Sequence, residues 1–279
     1  MKWIYFNDEF LEEEKGLFHY SDLAIQRGYG VFDFLRLIDN IPLFVADHIK
    51  RLQASSKEMA LVLTYSNEDL QQIVTELIER NNIPNSGIRI TVTGGYSADS
   101  YTVVKPNLLI SQHQYKLPSA DQLEKGIKLV SYQHQRQIPH VKTIDYLMAI
   151  RLQPFVRQNH ADDLLYYYND RVTECPRSNF FIVTNDDKII TPANNILIGI
   201  SRSKLLQIAA KEFDVEERDI SLDEVKSANE AFITSTTKAI LPVYQLDEYV
   251  FPAKKITRKL QKLFSDAVKE SLPQNIQNC

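Results

Sequence analysis

The stretch RVTECPRSNFFIV, residues 171–183, joins two predicted hairpins and contains a glutamate that decides how the fold is interpreted. The first predicted hairpin is DLLYYYNDRVTEC and the second is NFFIVTNDDKIIT, each with an Asn-Asp pair at its turn. Glu174 follows the end of a predicted strand, in the last residues of the first hairpin. A glutamate in a surface turn shows the same pattern, so the role of Glu174 depends on the rest of the chain.

The order of predicted elements outside this stretch indicates a mixed fold. Strands and helices are interspersed without strict alternation, which predicts an α+β fold rather than a doubly wound sheet. A polar stretch with a proline, QYKLPSADQLEKG at 114–126, separates two groups of strand-like segments. We therefore predict a small N-terminal α/β domain at 1–115, an interdomain linker at 116–124 and a larger C-terminal domain at 125–279.

Composition excludes several classes of protein. The 279 residues carry a formal net charge of −4 and no basic block, so no nucleic acid partner is expected. No apolar run approaches bilayer length, and the first residues lack the apolar core of a signal peptide, so no membrane partner is expected. The two cysteines are too few for a disulfide framework, which favours the reducing cytoplasm. No metal site is expected.

A lysine stands at an unusual place in IPHVKTIDYLMAIRLQP, residues 138–154. The spacing of Ile144, Leu147 and Met148 predicts a helix that begins at Lys142. A cation at that position faces the positive end of the helix dipole, which disfavours its charge. Either the lysine is exposed with its stem packed on the surface, or its amine must lose a proton to act as a nucleophile.

A further stretch, ILIGISRSKLLQIA at 196–209, suggests an anion site. Gly199 permits a tight backbone, and Ser201 stands where a helix is predicted to begin. The free N–H groups at such a helix start commonly bind phosphate. A serine that only caps the helix would give the same pattern.

Hydroxyl groups also crowd the end of an apolar strand in FITSTTKAILPV, residues 232–243. Strand threonines are often only β-formers, but a run of three hydroxyls beside a proline can also supply hydroxyl and N–H donors to a phosphate. They belong to Ser235, Thr236 and Thr237. A nucleophilic lysine, a carboxylate and a phosphate cradle together are the three groups that hold pyridoxal 5′-phosphate.

With these motifs in order, the chain resembles the class IV aminotransferases, which have the two-domain fold-type IV fold of D-amino-acid aminotransferase-like enzymes. The matching segments are RGYGVFDFLR at 27–36, DHIKRLQAS at 47–55, VKTIDYL at 141–147, and the glutamate, glycine and hydroxyl stretches above. The resemblance implies that Lys142 is the Schiff-base lysine and that Glu174 contacts the pyridine nitrogen. It further implies a ring-face contact from Leu197, and phosphate contacts from Arg51, Ile200, Ser201, Ser235 and Thr236.

The family contains three activities: branched-chain aminotransferases, D-amino-acid aminotransferases and aminodeoxychorismate lyases. The segment GGYSADSY at 94–101 lacks the Arg-x-His pair that holds the substrate carboxylate in the best-known D-specific enzymes, and the N-terminal motif lacks the threonine of the lyases. We expect a carboxylate-binding role for Arg27, Arg89 and Arg177 instead, because a guanidinium pairs bidentately with a carboxylate.

The resulting expectation is transamination between an amino acid, in the D-configuration, and a 2-oxo acid such as 2-oxoglutarate. An L-specific branched-chain aminotransferase and a 4-amino-4-deoxychorismate lyase are the alternatives, and a non-catalytic homologue is a third. The resemblance also implies a homodimer.

Overall fold

The computed structural model describes residues 1–273, so Cys279 and the end of the predicted C-terminal domain lie outside it. Helices and strands are interspersed, which confirms the predicted α+β class. The chain divides into two compact units. The first consists of Met1–Tyr115 together with Val141–Asp145, and the second contains Lys116–His140 and the chain from Tyr146 onward.

The first unit is built on a six-stranded sheet in the order β2-β1-β6-β5-β3-β4, in which every pair is antiparallel. Helices α2 and α3 carry apolar side chains into its core, among them Ile49, Leu52 and Val74. The strands are β1 (Trp3–Phe6), β2 (Glu9–Glu12), β3 (Gly30–Ile38), β4 (Ile41–Pro42), β5 (Gly87–Thr93) and β6 (Asn107–His113). The helices are α1 (Leu23–Arg27), α2 (Val45–Glu58) and α3 (Asn67–Asn81), with a 3₁₀ turn at Glu13–Lys15.

The segment Val141–Asp145 runs alongside β3, so the prediction of a helix that begins at Lys142 is wrong. The backbone N–H of Phe32 donates to the carbonyl of Lys142 at 2.9 Å, and the N–H of Ile144 donates to the carbonyl of Gly30 at 3.0 Å. The helix begins only at Leu147. Pairing with an available strand edge therefore outweighs the helical spacing of the apolar residues, and the helix dipole does not act on this lysine.

The second unit is built on a ten-stranded mixed sheet whose main path is β13-β12-β11-β14-β15-β7-β8-β9. β7 is parallel to both β15 and β8, while β14 is antiparallel to both β11 and β15. The strands are β7 (Ile127–Gln133), β8 (Asp163–Tyr168), β9 (Arg171–Val172), β10 (Glu174–Cys175), β11 (Ser178–Val183), β12 (Ile189–Thr191), β13 (Val215–Glu217), β14 (Glu230–Ser235), β15 (Ala239–Leu246) and β16 (Tyr249–Val250).

Six helices accompany this sheet within the described residues: α4 (Ala120–Lys125), α5 (Leu147–Arg151), α6 (Gln153–Gln158), α7 (Ile200–Ala209), α8 (Leu222–Val225) and α9 (Lys255–Glu270). Strands β11 and β14 are buried on both faces. Phe181 and Phe232 stack at 4.7 Å on the face that packs against α7 and α9, and Phe180 and Ile233 fill the opposite core. Part of the segment predicted as a linker, 116–124, is occupied by α4, which a Ser119–Gln122 capping box begins.

Within the part of the chain that the structure describes, no helix is both long and apolar enough to cross a lipid bilayer.

Candidate active site

In the first unit, the amine of Lys142 and the guanidinium of Arg89 both lie over the aromatic ring of Phe32. The Nζ atom of Lys142 is 4.7 Å from the centroid of the Phe32 ring, and the Cζ atom of Arg89 is 3.9 Å from the same centroid. The pairing of β3 with β5 produces this arrangement, because Phe32 is opposite Thr91 and Arg89 is two residues away on the same strand face. Of the three arginines predicted to bind a carboxylate, Arg89 therefore contacts the same aromatic ring as Lys142.

A buried ionic network lies on the same strand, one residue after Phe32. Asp33 is fully buried and accepts hydrogen bonds from Arg51 through both Nε and Nη2, each at 2.8 Å. It also accepts one from Nδ1 of His48 at 2.6 Å. Burial alone would raise the pKa of Asp33, but the positive charge of Arg51 and the hydrogen bonds from Arg51 and His48 hold that pKa well below its ordinary value. The carboxylate is therefore ionised across the working pH range.

The network also fixes the two residues that surround the carboxylate. Burial lowers the pKa of His48, so its imidazole is neutral at pH 7 and donates from Nδ1, since a carboxylate can only accept. Two of the five N–H groups of Arg51 donate to Asp33, which orients the guanidinium that we predicted to bind phosphate. Sequence reasoning missed Asp33 and His48, although His48 and Arg51 are three residues apart on one helix face.

In the second unit, the Glu174 carboxylate is buried, with 4% of the residue exposed, and three donors hold it. Arg136 donates to Oε1 at 3.0 Å, while the backbone N–H of Leu197 at 3.0 Å and the Asn179 side chain at 3.4 Å donate to Oε2. The Asn179 amide also donates to the carbonyl of Leu197 at 2.7 Å. Glu174 is thus an oriented, ion-paired carboxylate rather than a solvated turn residue. Sequence reasoning did not identify Arg136 as its partner.

The start of α7 lies directly after this carboxylate-binding segment. The helix begins at Ile200 with Gly199 as its N-cap, and Ser201 is buried in the first turn. A Cβ atom at Gly199 would come within 2.1 Å of the Asn179 amide oxygen, so only glycine permits this close approach. The first N–H groups of any helix have no acceptor within the helix, which makes this turn suited to an anion.

The predicted second phosphate segment lies on a neighbouring strand. Glu174, Asn179 and Thr234 are opposite one another on β10, β11 and β14. Two strand spacings separate Glu174 from Thr234, about 10 Å, which is comparable to a pyridine ring with a phosphate arm. Ser235 ends β14 and Thr236 begins the turn after it, and both are half-buried. The hydroxyl of Thr234 is buried with no hydrogen-bond partner, which leaves one unused polar atom beside them.

The remaining two predicted arginines lie at exposed positions. Arg27 ends α1 and its Nη1 donates to the carbonyl of Gln26 at 2.9 Å. Arg177 is in the exposed turn between β10 and β11. Arg27 and Arg89 belong to the first unit and Arg177 to the second.

Comparison with known proteins identifies the family of this chain. The model of the class IV amino-transferase family matches residues 30–246. A D-alanine aminotransferase from Staphylococcus epidermidis is 29% identical over 95% of this chain and 97% of its own length. A putative branched-chain-amino-acid aminotransferase from Methanocaldococcus jannaschii is also 29% identical, over 94% of this chain and 95% of its own.

A solved structure confirms the predicted fold-type IV fold. The branched-chain amino acid aminotransferase of Escherichia coli superposes with a TM-score of 0.89 at 22% identity, covering 98% of this chain and 96% of that one. The family match spans most of the chain and includes Lys142, Glu174 and both phosphate segments. The chain therefore belongs to the class IV aminotransferases, enzymes that use pyridoxal 5′-phosphate.

Proposed function

We propose that this enzyme transfers the amino group of a D-amino acid to a 2-oxo acid such as 2-oxoglutarate. The observation that carries the proposal is that the guanidinium of Arg89 and the amine of Lys142 both lie over the Phe32 ring. A substrate carboxylate that pairs with Arg89 would be held at the Phe32 ring, which the amine of Lys142 also contacts. The similarity to a D-alanine aminotransferase supports the D-configuration.

The residues present fit the family's cofactor. Bound pyridoxal 5′-phosphate supplies an aldehyde that links to amines and a protonated ring that withdraws electrons from the α-carbon. We assign Glu174 to contact the pyridine nitrogen, because its buried carboxylate is oriented by three donors. We assign the ring face to Leu197 and the phosphate to Arg51, Ile200, Ser201, Ser235 and Thr236.

Lys142 has two tasks in this scheme. Its amine holds the cofactor between turnovers, and it moves a proton to and from the α-carbon of the substrate. Both tasks need the uncharged amine.

The choice of enantiomer follows from where the carboxylate is held. We propose Arg89 as its main partner, assisted by Arg27, and assign Arg177 to the acidic co-substrate. The alternative is L-specific transamination of branched-chain amino acids, which the equal identity to the Methanocaldococcus protein favours. Cofactor spectra recorded with single amino acids distinguish the two, since only accepted amino acids convert the bound cofactor.

The test uses D-alanine, D-glutamate and L-leucine with the parent enzyme and with Arg89→Ala. We expect the D-amino acids to react faster with the parent. In the variant we expect their KM to rise about tenfold or more, the effect of one lost charge-assisted pair. Arg80→Ala is the matched control, because Arg80 also lies over an aromatic ring of the first unit, that of Phe10 at 4.4 Å.

Two outcomes would overturn parts of the proposal. Faster reaction of the parent with L-leucine would exclude the D-specific function. An unchanged KM for every amino acid in Arg89→Ala would exclude the arginine clamp for either enantiomer.

We further propose a cytoplasmic homodimer. Large side chains are exposed in the first unit between 17 and 101, where a monomer would leave them in water; they include Leu17, Tyr20, Tyr96 and Tyr101. His19 contacts both Tyr20 and Tyr96, so several of them form one patch.

A further inference from the structure

The turn that carries Thr236 is closed by an unusual backbone conformation. Ser235 is opposite Ala239 in the last pair of β14 and β15, which leaves a loop of three residues, 236–238. Ala239 has φ +51°, a left-handed conformation that is uncommon for a residue other than glycine. The hydroxyl of Ser235 accepts a hydrogen bond from the backbone N–H of Lys238 at 3.2 Å. Such a conformation persists only where other contacts hold it.

The side chain of Lys238 supplies such contacts. Its Nζ is 3.1 Å from Oδ2 of Asp163 at the start of β8, and 3.4 Å from the hydroxyl of Ser178 at the start of β11. Only 19% of the Lys238 side chain and 11% of the Asp163 side chain are exposed. A pair this sheltered is weakly screened by salt, and removing one partner leaves the other charge poorly solvated.

Two titratable side chains near Asp163 are uncharged. Burial, and next the Asp163 carboxylate, raise the pKa of both Tyr166 and Cys175, so both remain neutral at pH 7. Lys238 is the cation that pairs with Asp163. Its other partner, Ser178, directly precedes Asn179, which donates to Glu174.

We propose that Lys238 is a positioning residue, which through Asp163 and Ser178 fixes the Ser235–Thr236 turn relative to Glu174. The inference rests on the proposed cofactor site, in which that turn receives the phosphate and Glu174 receives the ring nitrogen. The ammonium group itself is committed to Asp163 and does not need to touch the phosphate. It keeps the hydroxyl donors of Ser235 and Thr236 at the position that the phosphate arm reaches when Glu174 holds the ring nitrogen.

The experiment compares two probes that differ only in the phosphate. Apoenzyme is titrated with pyridoxal 5′-phosphate and with pyridoxal, and the dissociation constants are read from quenching of protein fluorescence. In Lys238→Met we expect affinity for pyridoxal 5′-phosphate to fall about tenfold or more, as for a misplaced charge-assisted hydrogen bond, and affinity for pyridoxal to change less than about threefold. Lys238→Arg, which can keep the ion pair, should restore most of the loss.

Further variants separate positioning from general stability. Asp163→Asn should weaken phosphate-dependent binding as Lys238→Met does, and the double variant should be no weaker than either single one, because both act through the same pair. Lys188→Met is the control, since Lys188 forms ion pairs with Asp214 and Glu216 at the surface of the same unit. It should bind both probes as the parent does.

Two results would overturn the inference: equal losses for both probes in Lys238→Met, or no loss for either. A parent protein that binds neither probe would instead refute the proposed cofactor site.

Discussion

Replacing Asp33 by alanine should destabilise the first unit far more than removing any surface carboxylate. Asp33 accepts three side-chain hydrogen bonds from Arg51 and His48, and a fourth from the backbone N–H of Phe34 at 2.8 Å. The variant leaves the Arg51 guanidinium, with 12% of its side chain exposed, without this counterion. Removing one member of a buried pair costs about 3–5 kcal/mol.

That cost should lower the melting midpoint by about 6–20 °C, at roughly 2–4 °C per kcal/mol for a domain of this size. Circular dichroism or calorimetry at pH 7 would measure it. Glu76→Ala is the control, because Glu76 also pairs with an arginine, Arg80, but both side chains are well exposed. The Glu76→Ala variant should lose only about 0–1 kcal/mol of its free energy of unfolding. Equal midpoints for the two variants would refute the assignment of Asp33 as the centre of a stabilising network.

The difference between the parent and Asp33→Ala should also depend on pH. The folded pKa of Asp33 is depressed, so its stabilising contribution is present above the unfolded value, about 3.9, and is lost as pH falls toward the folded value. Melting midpoints of the two proteins should therefore differ by a constant amount from about pH 5 to pH 8 and converge below about pH 4. A difference that stays constant at low pH would contradict the depressed pKa.

Three further outcomes are expected. Glu174→Gln keeps the shape of the side chain but loses its charge, so the half-reaction with an accepted amino acid should slow at least about tenfold, or 1.4 kcal/mol of barrier; an unchanged rate would leave Glu174 with a structural role only. Borohydride reduction followed by peptide mass spectrometry should find the pyridoxyl group on Lys142, and labelling of another lysine would contradict the assignment. Sedimentation should show a dimer. A stable and fully active monomer at low concentration would contradict this prediction.

Local signals in the sequence were sufficient for elements that local chemistry determines. The Asn-Asp turn at 169–170 has both residues at positive φ, a conformation that Asn and Asp tolerate well. Ser66 and Asp69 form the capping box that begins α3. The prediction that Lys142, Glu174 and the phosphate segments bind one cofactor came from motif order and family resemblance rather than from local signals.

Features that depend on tertiary pairing could not be predicted in the same way. The spacing of Ile144, Leu147 and Met148 is helical, yet Ile144 pairs with β3, because the strand edge that accepts it is more than 100 residues earlier in the chain. Arg136 reaches Glu174 across 38 residues, and no local pattern indicates that pair.

The segment Val141–Asp145 has a consequence for how the protein is made. The first unit needs a piece of chain that is synthesised 25 residues after the rest of that unit ends at Tyr115. Its sheet therefore cannot be completed on the ribosome until the start of the second unit has also emerged, which raises contact order and delays folding. Until then, the backbone groups of Gly30 and Phe32 form an open strand edge that another chain could join. A fragment that stops at residue 115 would keep that edge permanently and should be prone to aggregation.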